Sequence, residues 1–426
     1  MKKYLPIIIC LLFCIGFVTI TDFRLYTSAN ANTFENCTKI DSVTHFKKCL
    51  PEAVGMNSVT LQRIDSIAKD AIRNMAFPGC QVFVLKDGKV VYNKSFGKYT
   101  YETDRKVTTT TIYDLASLSK TTGTLLAVMK LYDDNKLDIN DKASDYLDFL
   151  KGTNKEHIKI VELLFHETGL PAYIYFPTSI SQKNASYSTT DSIHSAAMKL
   201  IANTRLGSKT YLYSCINFVL LKEIVETISG VTLDFFLQRE FYGPMNLRNL
   251  GYVPLRTHAQ DEIAPTLKKI SSNGFLQGEV HDPIANFFGG VSGNAGLFGT
   301  AHDVAAIYQM ILNNGDLNGK QYLCKRTCQM FTTTVSASGR RGLGFDKPVP
   351  ANPAINPCSK LAPKEVFGHT GYTGTCCWVD PANKLVYVFL SNRTYPNDGV
   401  NKLARMSIRP KIQGVIYQSI IDFKRK

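Results

Sequence analysis

The sequence lacks the features that would place a chain of 426 residues in a specialised class. It contains neither internal repeats nor long low-complexity segments, which excludes solenoid and mainly disordered proteins. Lys and Arg outnumber Asp and Glu by 49 to 35, but no basic helix is interleaved with aromatic residues. We therefore expect no nucleic-acid partner, and the net charge of +14 indicates only a basic surface.

Metal-binding patterns are also missing. Cys324 and Cys328 lie one helical turn apart, but no second pair of ligands accompanies them, so a zinc site is not expected. Cys376 and Cys377 are adjacent in a strand-like run, where consecutive side chains point to opposite faces of a sheet. These two thiols are therefore not expected to act together.

The N-terminus has the organisation of an export signal. Two lysines precede an apolar run from Tyr4 to Ile20, and an Ala-Asn-Ala cleavage sequence ends at Ala31. Residues 1–31 are predicted to be a signal peptide and residues 32–50 a leader. An uncleaved membrane anchor is the alternative, because the apolar run is long and the cleavage sequence lies beyond it. The predicted location is the periplasm, either free or attached to the membrane.

Hydrophobic periodicity predicts how the folded region begins. From Ser58 to Met75, apolar residues recur at helical spacing, with an N-cap near the first residue. Gln81–Leu85 and Val90–Phe96 have strand character, and Asp87-Gly88 between them is a strong hairpin signal. A helix and an antiparallel hairpin therefore come first.

The C-terminal part returns to strands. Val366–Gly371, Thr375–Val379 and Leu385–Leu390 are predicted strands, and Ile408–Phe423 is a predicted helix. The pattern between about 121 and 345 is mostly helical. We expect an α+β fold with one antiparallel sheet flanked by the terminal helices, and an inserted helical lobe. An active site is expected in the cleft between the lobes.

Three segments of the helical region carry further predictions. His166 follows the predicted helix Ile160–Phe165 and is interpreted as a structural hydrogen-bonding residue rather than a catalytic base. Phe287–Thr300 is dense in glycine and is predicted to be a loop that wraps the core. The residues Thr300 to Asp303 resemble a capping box, which would open a helix ending at Leu312.

One stretch indicates nucleophilic chemistry. Ser117-Leu118-Ser119-Lys120 is an S-x-x-K arrangement, which at the start of a helix puts a hydroxyl and an amine one turn apart on the same face. A lysine held neutral in a partly desolvated pocket can take the serine proton. Apolar residues at helical spacing predict a buried helix from about 117 to 133.

Two later stretches offer partners for such a serine. Tyr213 lies just before a predicted helix and can act as an acid or a base where nearby cations lower its pKa. Residues 368–374, Gly-His-Thr-Gly-Tyr-Thr-Gly, form a strand edge of small residues. A substrate acyl group can approach such an edge, and its N–H groups can stabilise an oxyanion.

With these three motifs in this order, the sequence resembles the serine β-lactamase and penicillin-binding protein superfamily, specifically its class C-like serine hydrolase branch. The flanks Tyr113–Ala116 and Leu163–Pro171 fit as well. The resemblance covers roughly Pro51 to Phe423 and implies a β-lactamase/transpeptidase-like fold. The predicted domain is 51–426, with an α/β lobe of 51–116 and 360–426 and a helical lobe of about 117–359.

The resemblance also implies the roles of residues. Ser117 would attack the carbonyl and become acylated, while Lys120 and Tyr213 move its proton, and which of the two is the base stays open. The N–H groups of Ser117 and Tyr372 would form the oxyanion hole. The substrate-binding positions that the second and third motifs imply are Cys215, His369, Thr370 and Gly371. No metal and no organic cofactor is implied.

Two positions depart from the pattern of the family. The second motif is typically Tyr-x-Asn, but Cys215 occupies its last position, and a thiol cannot donate and accept as an amide does. Asn217 lies two residues further and would point elsewhere on a helix. The third motif is typically Lys-Thr-Gly, and His369 replaces the lysine. A mostly neutral histidine would grip a substrate carboxylate less firmly.

These observations predict an exported serine acyl hydrolase that forms an acyl-enzyme on a small-molecule or cell-wall-derived ester or amide. Esterase, D,D-peptidase or amidase activity ranks above β-lactamase activity, because His-Thr-Gly is more typical of esterases and peptidases. One alternative is a penicillin-binding sensor that acylates at Ser117 without turnover. Another is an inactive scaffold, against which the intact Ser117, Lys120 and Tyr213 argue.

Overall fold

The computed structural model describes residues 46–176, 179, 190–269, 274–352 and 354–425. The predicted signal peptide and most of the predicted leader lie outside these residues. No helix in the described part of the chain is both long and apolar enough to cross a lipid bilayer.

The predicted helix over about 117–133 is a regular α-helix only from Leu125, because a 3₁₀ turn and a π-helical turn precede it. The α-helices are α1 Ser58–Leu61, α2 Arg63–Arg73, α3 Leu125–Asp133, α4 Ile160–Phe165, α5 Thr190–Asn203, α6 Cys215–Ser229, α7 Leu233–Leu237, α8 Pro283–Phe287, α9 Ala301–Leu312, α10 Lys325–Thr333, α11 Lys402–Arg405 and α12 Ile408–Lys424. The strands are β1 Gly79–Lys86, β2 Lys89–Gly97, β3 Tyr113–Asp114, β4 Gly251–Tyr252, β5 Leu267–Lys268, β6 Phe275–Leu276, β7 Leu297–Gly299, β8 Asp316–Leu317, β9 Lys320–Gln321, β10 Phe367–Thr370, β11 Cys376–Asp380 and β12 Leu385–Ser391.

A five-stranded sheet joins the two ends of the described chain in the order β10-β11-β12-β1-β2, and every pair in it is antiparallel. The turn between β1 and β2 contains Asp87 and Gly88, both at positive φ. That geometry matches the right-handed twist of a two-residue hairpin. The predicted antiparallel sheet is therefore confirmed.

The two faces of this sheet bury different clusters. Cys376 packs in the cluster that includes residues of the terminal helices α2 and α12, such as Ile64 and Ile416. Cys377 packs in the other cluster, together with residues of α9 such as Val304. The prediction that the adjacent cysteines face opposite sides is confirmed, and so is the covering of the sheet by the terminal helices.

The glycine-dense run differs in part from its prediction. It begins in α8, continues as a loop and ends in β7, which is the central strand of a small sheet ordered β3-β7-β4. The interpretation of the whole run as a loop was therefore wrong. The following helix is confirmed, since Oγ1 of Thr300 accepts a hydrogen bond from the N–H of Asp303 and α9 ends at Leu312.

Candidate active site

Ser117 lies in a strained turn between β3 and the helical segment that follows. Ala116 has a φ of 48° and starts a 3₁₀ turn, Ala116–Leu118, which a π-helical turn and then α3 continue. The buried carboxylate of Asp114 accepts the N–H of Ala116 at 2.8 Å and that of His281 at 2.8 Å. Asp114 thereby stabilises a backbone conformation that alanine rarely adopts.

The side chain of Lys120 is buried directly beside the serine. Its Nζ donates to Oγ of Ser117 at 3.1 Å and to the carbonyl oxygen of Asn294 at 2.8 Å, and it lies 3.7 Å from Sγ of Cys215. Burial lowers the pKa of Lys120, but the neighbouring Cys215 and Tyr213 raise it more, so the net pKa lies above its ordinary value. The predicted approach of hydroxyl and amine within one turn is present, but the expectation of a neutral lysine was wrong, because the neighbouring groups keep Lys120 charged.

Tyr213 completes this group from the segment before α6. The Nζ of Lys120 lies 5.1 Å from the centre of its ring. Burial raises the pKa of the Tyr213 phenol above its ordinary value, and the charge of Lys120, with hydrogen bonds to Lys120 and Ser117, opposes this rise only in part, so the net lowering expected from nearby cations is not found. Three groups that can exchange a proton are therefore in contact.

The loop after β10 is tied to the serine turn. Oγ1 of Thr373 donates to the carbonyl oxygen of Asp114 at 2.7 Å, and Oγ1 of Thr375 donates to that of Leu115 at 2.8 Å. A Cβ at Gly371 would lie 2.3 Å from the oxygen of Leu115, so this close approach requires glycine. It brings Tyr372 to the cavity that Ser117 lines.

This cavity has a volume of about 330 Å³ and joins most of the predicted site. The predicted site residues that line it are Ser117, Tyr213, His369, Thr370, Gly371 and Tyr372. Lys120 and Cys215 lie behind Ser117. Within the described residues, no acceptor binds the backbone N–H of Tyr372, which leaves it available to a substrate oxygen.

His369 is a neutral imidazole whose tautomer is fixed from both sides. Nδ1 donates to the carbonyl oxygen of Thr370 at 2.7 Å, and Nε2 accepts from Nη2 of Arg341 at 3.0 Å. Burial, and then the charge of Arg341, lowers the pKa of His369 to about 3. The ring therefore carries no charge to offer to a substrate carboxylate.

Asn217 and His166 form a structural pair beside the site. Nδ1 of His166 accepts from Nδ2 of Asn217 at 3.1 Å and from the N–H of Ser214 at 3.1 Å, while Oδ1 of Asn217 accepts from Oγ1 of Thr168 at 2.8 Å. Burial and the nearby cations lower the pKa of His166 well below its ordinary value. This agrees with the structural role predicted for His166 and with the prediction that Asn217 points away.

The sequence reasoning missed a group of cavity residues that carry charge. Among the described residues that line the cavity, the charged side chains are Arg340, Arg341, Arg393, Arg409 and Asp346. Arg341 lies 3.1 Å from Asp346, and Arg340 pairs with the same carboxylate. Burial raises the pKa of Asp346, but the two arginines outweigh it and hold the pKa below its ordinary value. The sequence Gly-Arg-Arg-Gly, in which Arg340 and Arg341 are adjacent, could have indicated a positively charged site.

No metal centre accompanies these side chains in the described part of the chain, where no group of three or more His, Cys, Asp or Glu residues could hold an ion.

A model of the family described as "Beta-lactamase" matches residues 64–407. The chain belongs to the beta-lactamase family. The resemblance drawn from the three motifs is thus confirmed, and the family and its relatives indicate a serine hydrolase.

A curated relative of this beta-lactamase family member comes from Salmonella heidelberg (strain SL476) and is described as "Putative D-alanyl-D-alanine carboxypeptidase". The two sequences are 32% identical over 379 residues, which cover 81% of this chain and 85% of the relative.

Two solved structures show the fold. The hydrolase EstCE1, described as having promiscuous acyltransferase activity, is 21% identical, with a TM-score of 0.65 over 84% of this chain and 99% of the other. A penicillin-binding protein homologue from Caulobacter crescentus is 18% identical, with a TM-score of 0.61 over 79% and 93%. The predicted β-lactamase/transpeptidase-like fold is confirmed.

Proposed function

We propose that the chain is an exported serine acyl hydrolase that forms an acyl-enzyme at Ser117 and prefers substrates with a free carboxylate near the scissile bond. A cell-wall peptide cleaved at its C-terminal peptide bond is the substrate class that fits best. The arginine-rich wall of the cavity beside Ser117 carries this proposal. The name of the Salmonella relative supports the same class.

The charge of the cavity explains the preference for an anion. Arg340 and Arg341 share the single carboxylate of Asp346, while Arg393 and Arg409 donate to the backbone oxygens of Tyr372 and Thr375. Guanidinium groups keep their charge and match the two oxygens of a carboxylate. The positive charge that His369 cannot supply is therefore available from its neighbours.

The proposed mechanism uses three side chains in contact. Oγ of Ser117 attacks the substrate carbonyl, and its proton passes to the leaving amine through Tyr213, while the charge of Lys120 stabilises the phenolate that accepts it. The N–H groups of Ser117 and Tyr372 stabilise the oxyanion. Water then attacks the ester at Ser117, and the same pair returns the proton to the serine.

The deciding experiment compares a peptide ending in D-alanyl-D-alanine with the same peptide carrying a C-terminal amide. We expect release of D-alanine from the free acid at a kcat/KM at least tenfold above that for the amide. The Ser117→Ala variant should retain the melting temperature and lose turnover. Equal rates for the acid and the amide would contradict the anion preference.

A parallel mass measurement separates this function from acylation without turnover. The protein is mixed with a fluorophosphonate and, separately, with a penicillin, and the adduct is mapped. A fluorophosphonate adduct at Ser117 together with peptide turnover supports the hydrolase. A lasting penicillin adduct without any turnover would instead support the sensor, and no adduct would exclude Ser117 as the nucleophile.

Export is part of the proposal and rests on the N-terminal sequence. The mature protein is expected to begin at Asn32, directly after the Ala-Asn-Ala sequence. N-terminal sequencing of the secreted form tests this directly. A protein that begins at Met1 and sediments with membranes would show an uncleaved anchor.

A further inference from the structure

A second cavity, with a volume of about 1100 Å³, lies near the first residue of β10. The C-terminal ends of α9 and α10 form part of its wall, together with Phe367 and the turns that join β1 to β2 and β11 to β12. Ser117 is not among the described residues that line it. The cavity is therefore separate from the one at the proposed active site.

The buried side chain of Lys347 lines this second cavity without an ion pair among the described residues, and burial lowers its pKa although the charge of Glu365 opposes this. Lys347 is only 4% exposed, and its Nζ donates to the carbonyl oxygen of Glu365 at 3.1 Å and, weakly, to that of Thr332 at 3.5 Å. No carboxylate of the described residues forms an ion pair with it. Because a buried charge needs an opposite charge, an anion in the cavity would stabilise this side chain.

A buried acceptor lines the same cavity and lacks a donor. Gln309 is 3% exposed, and its Nε2 donates to Oδ1 of Asn313 at 2.8 Å. Its Oε1 has no hydrogen-bond partner among the described residues. Because unpaired buried acceptors are rare and costly, a ligand that reaches Gln309 should offer an N–H or O–H group.

The remaining walls are largely apolar and the rim is basic. Leu312, Pro348 and Phe367 contribute apolar surface, and the exposed Lys364 and Lys384 lie at the opening. Two carboxylates also line the cavity. Asp87 is paired with Lys86 at 2.6 Å, and Glu365 is exposed. The cavity therefore combines apolar contact area with a net positive charge.

We propose that this cavity is a second ligand site, which binds a small amphipathic anion of the N-acyl amino acid class. The acyl chain would lie on the apolar walls, the carboxylate would pair with Lys347, and the amide N–H would donate to Gln309. The carboxylate would then meet a lysine that forms no ion pair in the described part of the chain, and the amide N–H would meet an acceptor that lacks a donor there.

The test uses calorimetric titration of the full-length Ser117→Ala variant with N-octanoylglycine, because this variant does not hydrolyse the probe. We expect saturable one-to-one binding. Added separately to this background, Lys347→Met and Gln309→Leu should each weaken binding at least tenfold, and Arg341→Gln should change it less than twofold. Uncharged N-octanoylglycinamide should bind at least tenfold more weakly.

Two results of this titration would overturn the proposal. One is the absence of saturable binding. The other is a probe that no longer binds to the Arg341→Gln variant but still binds to the Lys347→Met and Gln309→Leu variants. Such a probe would occupy the cavity at Ser117.

A second measurement is independent of whether the Lys347 variant folds. An N-acylglycine with a diazirine at the end of its chain is photolysed on the same full-length Ser117→Ala protein, and the labelled peptides are identified by mass spectrometry. The site is supported if residues within 309–314 or 329–335 are labelled and if excess N-octanoylglycine suppresses this labelling. Labelling confined to the residues around Ser117, or labelling that excess probe does not suppress, overturns it.

Discussion

Nη2 of Arg341 donates a hydrogen bond to Nε2 of His369 across 3.0 Å, although the two residues are 28 positions apart in sequence. Because Nε2 accepts this hydrogen bond, the proton of the neutral imidazole lies on Nδ1. The cation that the family pattern would place in the third motif is therefore carried by a residue from a different segment. The first two predictions depend on this position of the positive charge, on Arg341 instead of on the histidine.

The first prediction concerns substrate selection by Arg341. Arg341→Gln should lower kcat/KM for the carboxylate-ending peptide ten- to a hundredfold, because hydrogen bonds to charged groups contribute about 1.5–3 kcal/mol. Hydrolysis of the neutral ester p-nitrophenyl acetate should change less than threefold. Steady-state kinetics with both substrates measures the difference. The control is Arg73→Gln, an exposed arginine on α2. Equal losses on both substrates would show that Arg341 acts on the fold rather than on the anion.

The sequence could predict Ser117 and Lys120 because their contact is local, within one helical turn. The hairpin and the terminal helix could be predicted for the same reason, since each depends on a short pattern of apolar and turn residues. The opposite faces of Cys376 and Cys377 needed only the alternation of a strand. Those predictions use distances of a few residues along the chain.

The remainder of the site depends on contacts that leave no local pattern. Arg341 lies in a loop and meets His369 only in the folded chain. The partner of Lys120 at Asn294 is a backbone oxygen, which any residue type could supply. Strands β3 and β7 contain only two and three residues, too few to show a period.

The second prediction is a loss of stability in mild acid. His369 has a pKa of about 3 in the folded protein and about 6.5 when unfolded, so the unfolded chain binds more protons between these values. The free energy of unfolding should therefore fall as the pH decreases from about 6.5, by roughly 1 kcal/mol per pH unit for this residue. Urea denaturation at pH 6.5 and pH 5 measures the slope, since carboxylates stay mostly ionised there.

The His369→Gln variant isolates this contribution, because a glutamine oxygen can still accept from Arg341 but does not titrate. The variant should lose stability less steeply than the wild type over the same pH range. His194, whose pKa Glu223 raises, contributes with the opposite sign in both proteins and cancels in the comparison. Identical slopes would mean that His369 takes up its proton over the same pH range in the folded and unfolded states.

The third prediction tests the close approach between β10 and the serine turn. In Gly371→Ala, the new Cβ would lie 2.0 Å from Oγ1 of Thr375 and 2.3 Å from the oxygen of Leu115, so the loop must move away. Because this displaces Tyr372 from Ser117, we expect at least a tenfold loss of kcat for p-nitrophenyl acetate. Gly251→Ala is the matched control, since nothing lies within 4 Å of its Cβ. Unchanged kcat in Gly371→Ala would remove Tyr372 from the oxyanion hole.

The fourth prediction concerns Cys215, which stands where the family pattern has asparagine. Its Sγ lies 3.7 Å from Nζ of Lys120, a distance typical of the weak hydrogen bonds that sulfur forms. Asparagine is of similar size, and its amide can accept from Lys120 while donating to a substrate carbonyl. We therefore expect Cys215→Asn to raise kcat/KM for the carboxylate-ending peptide about fivefold, measured by D-alanine release.

The control for this substitution is Cys215→Val, which removes the contact with Lys120 and is larger than cysteine by only about one methyl group. It should lower turnover of the same peptide, because the buried ammonium loses one of its partners. If the asparagine variant instead falls as far as the valine variant, the thiol itself is required beside Lys120. Rapid-quench measurement of the acylated fraction then shows whether formation or hydrolysis of the acyl-enzyme depends on it.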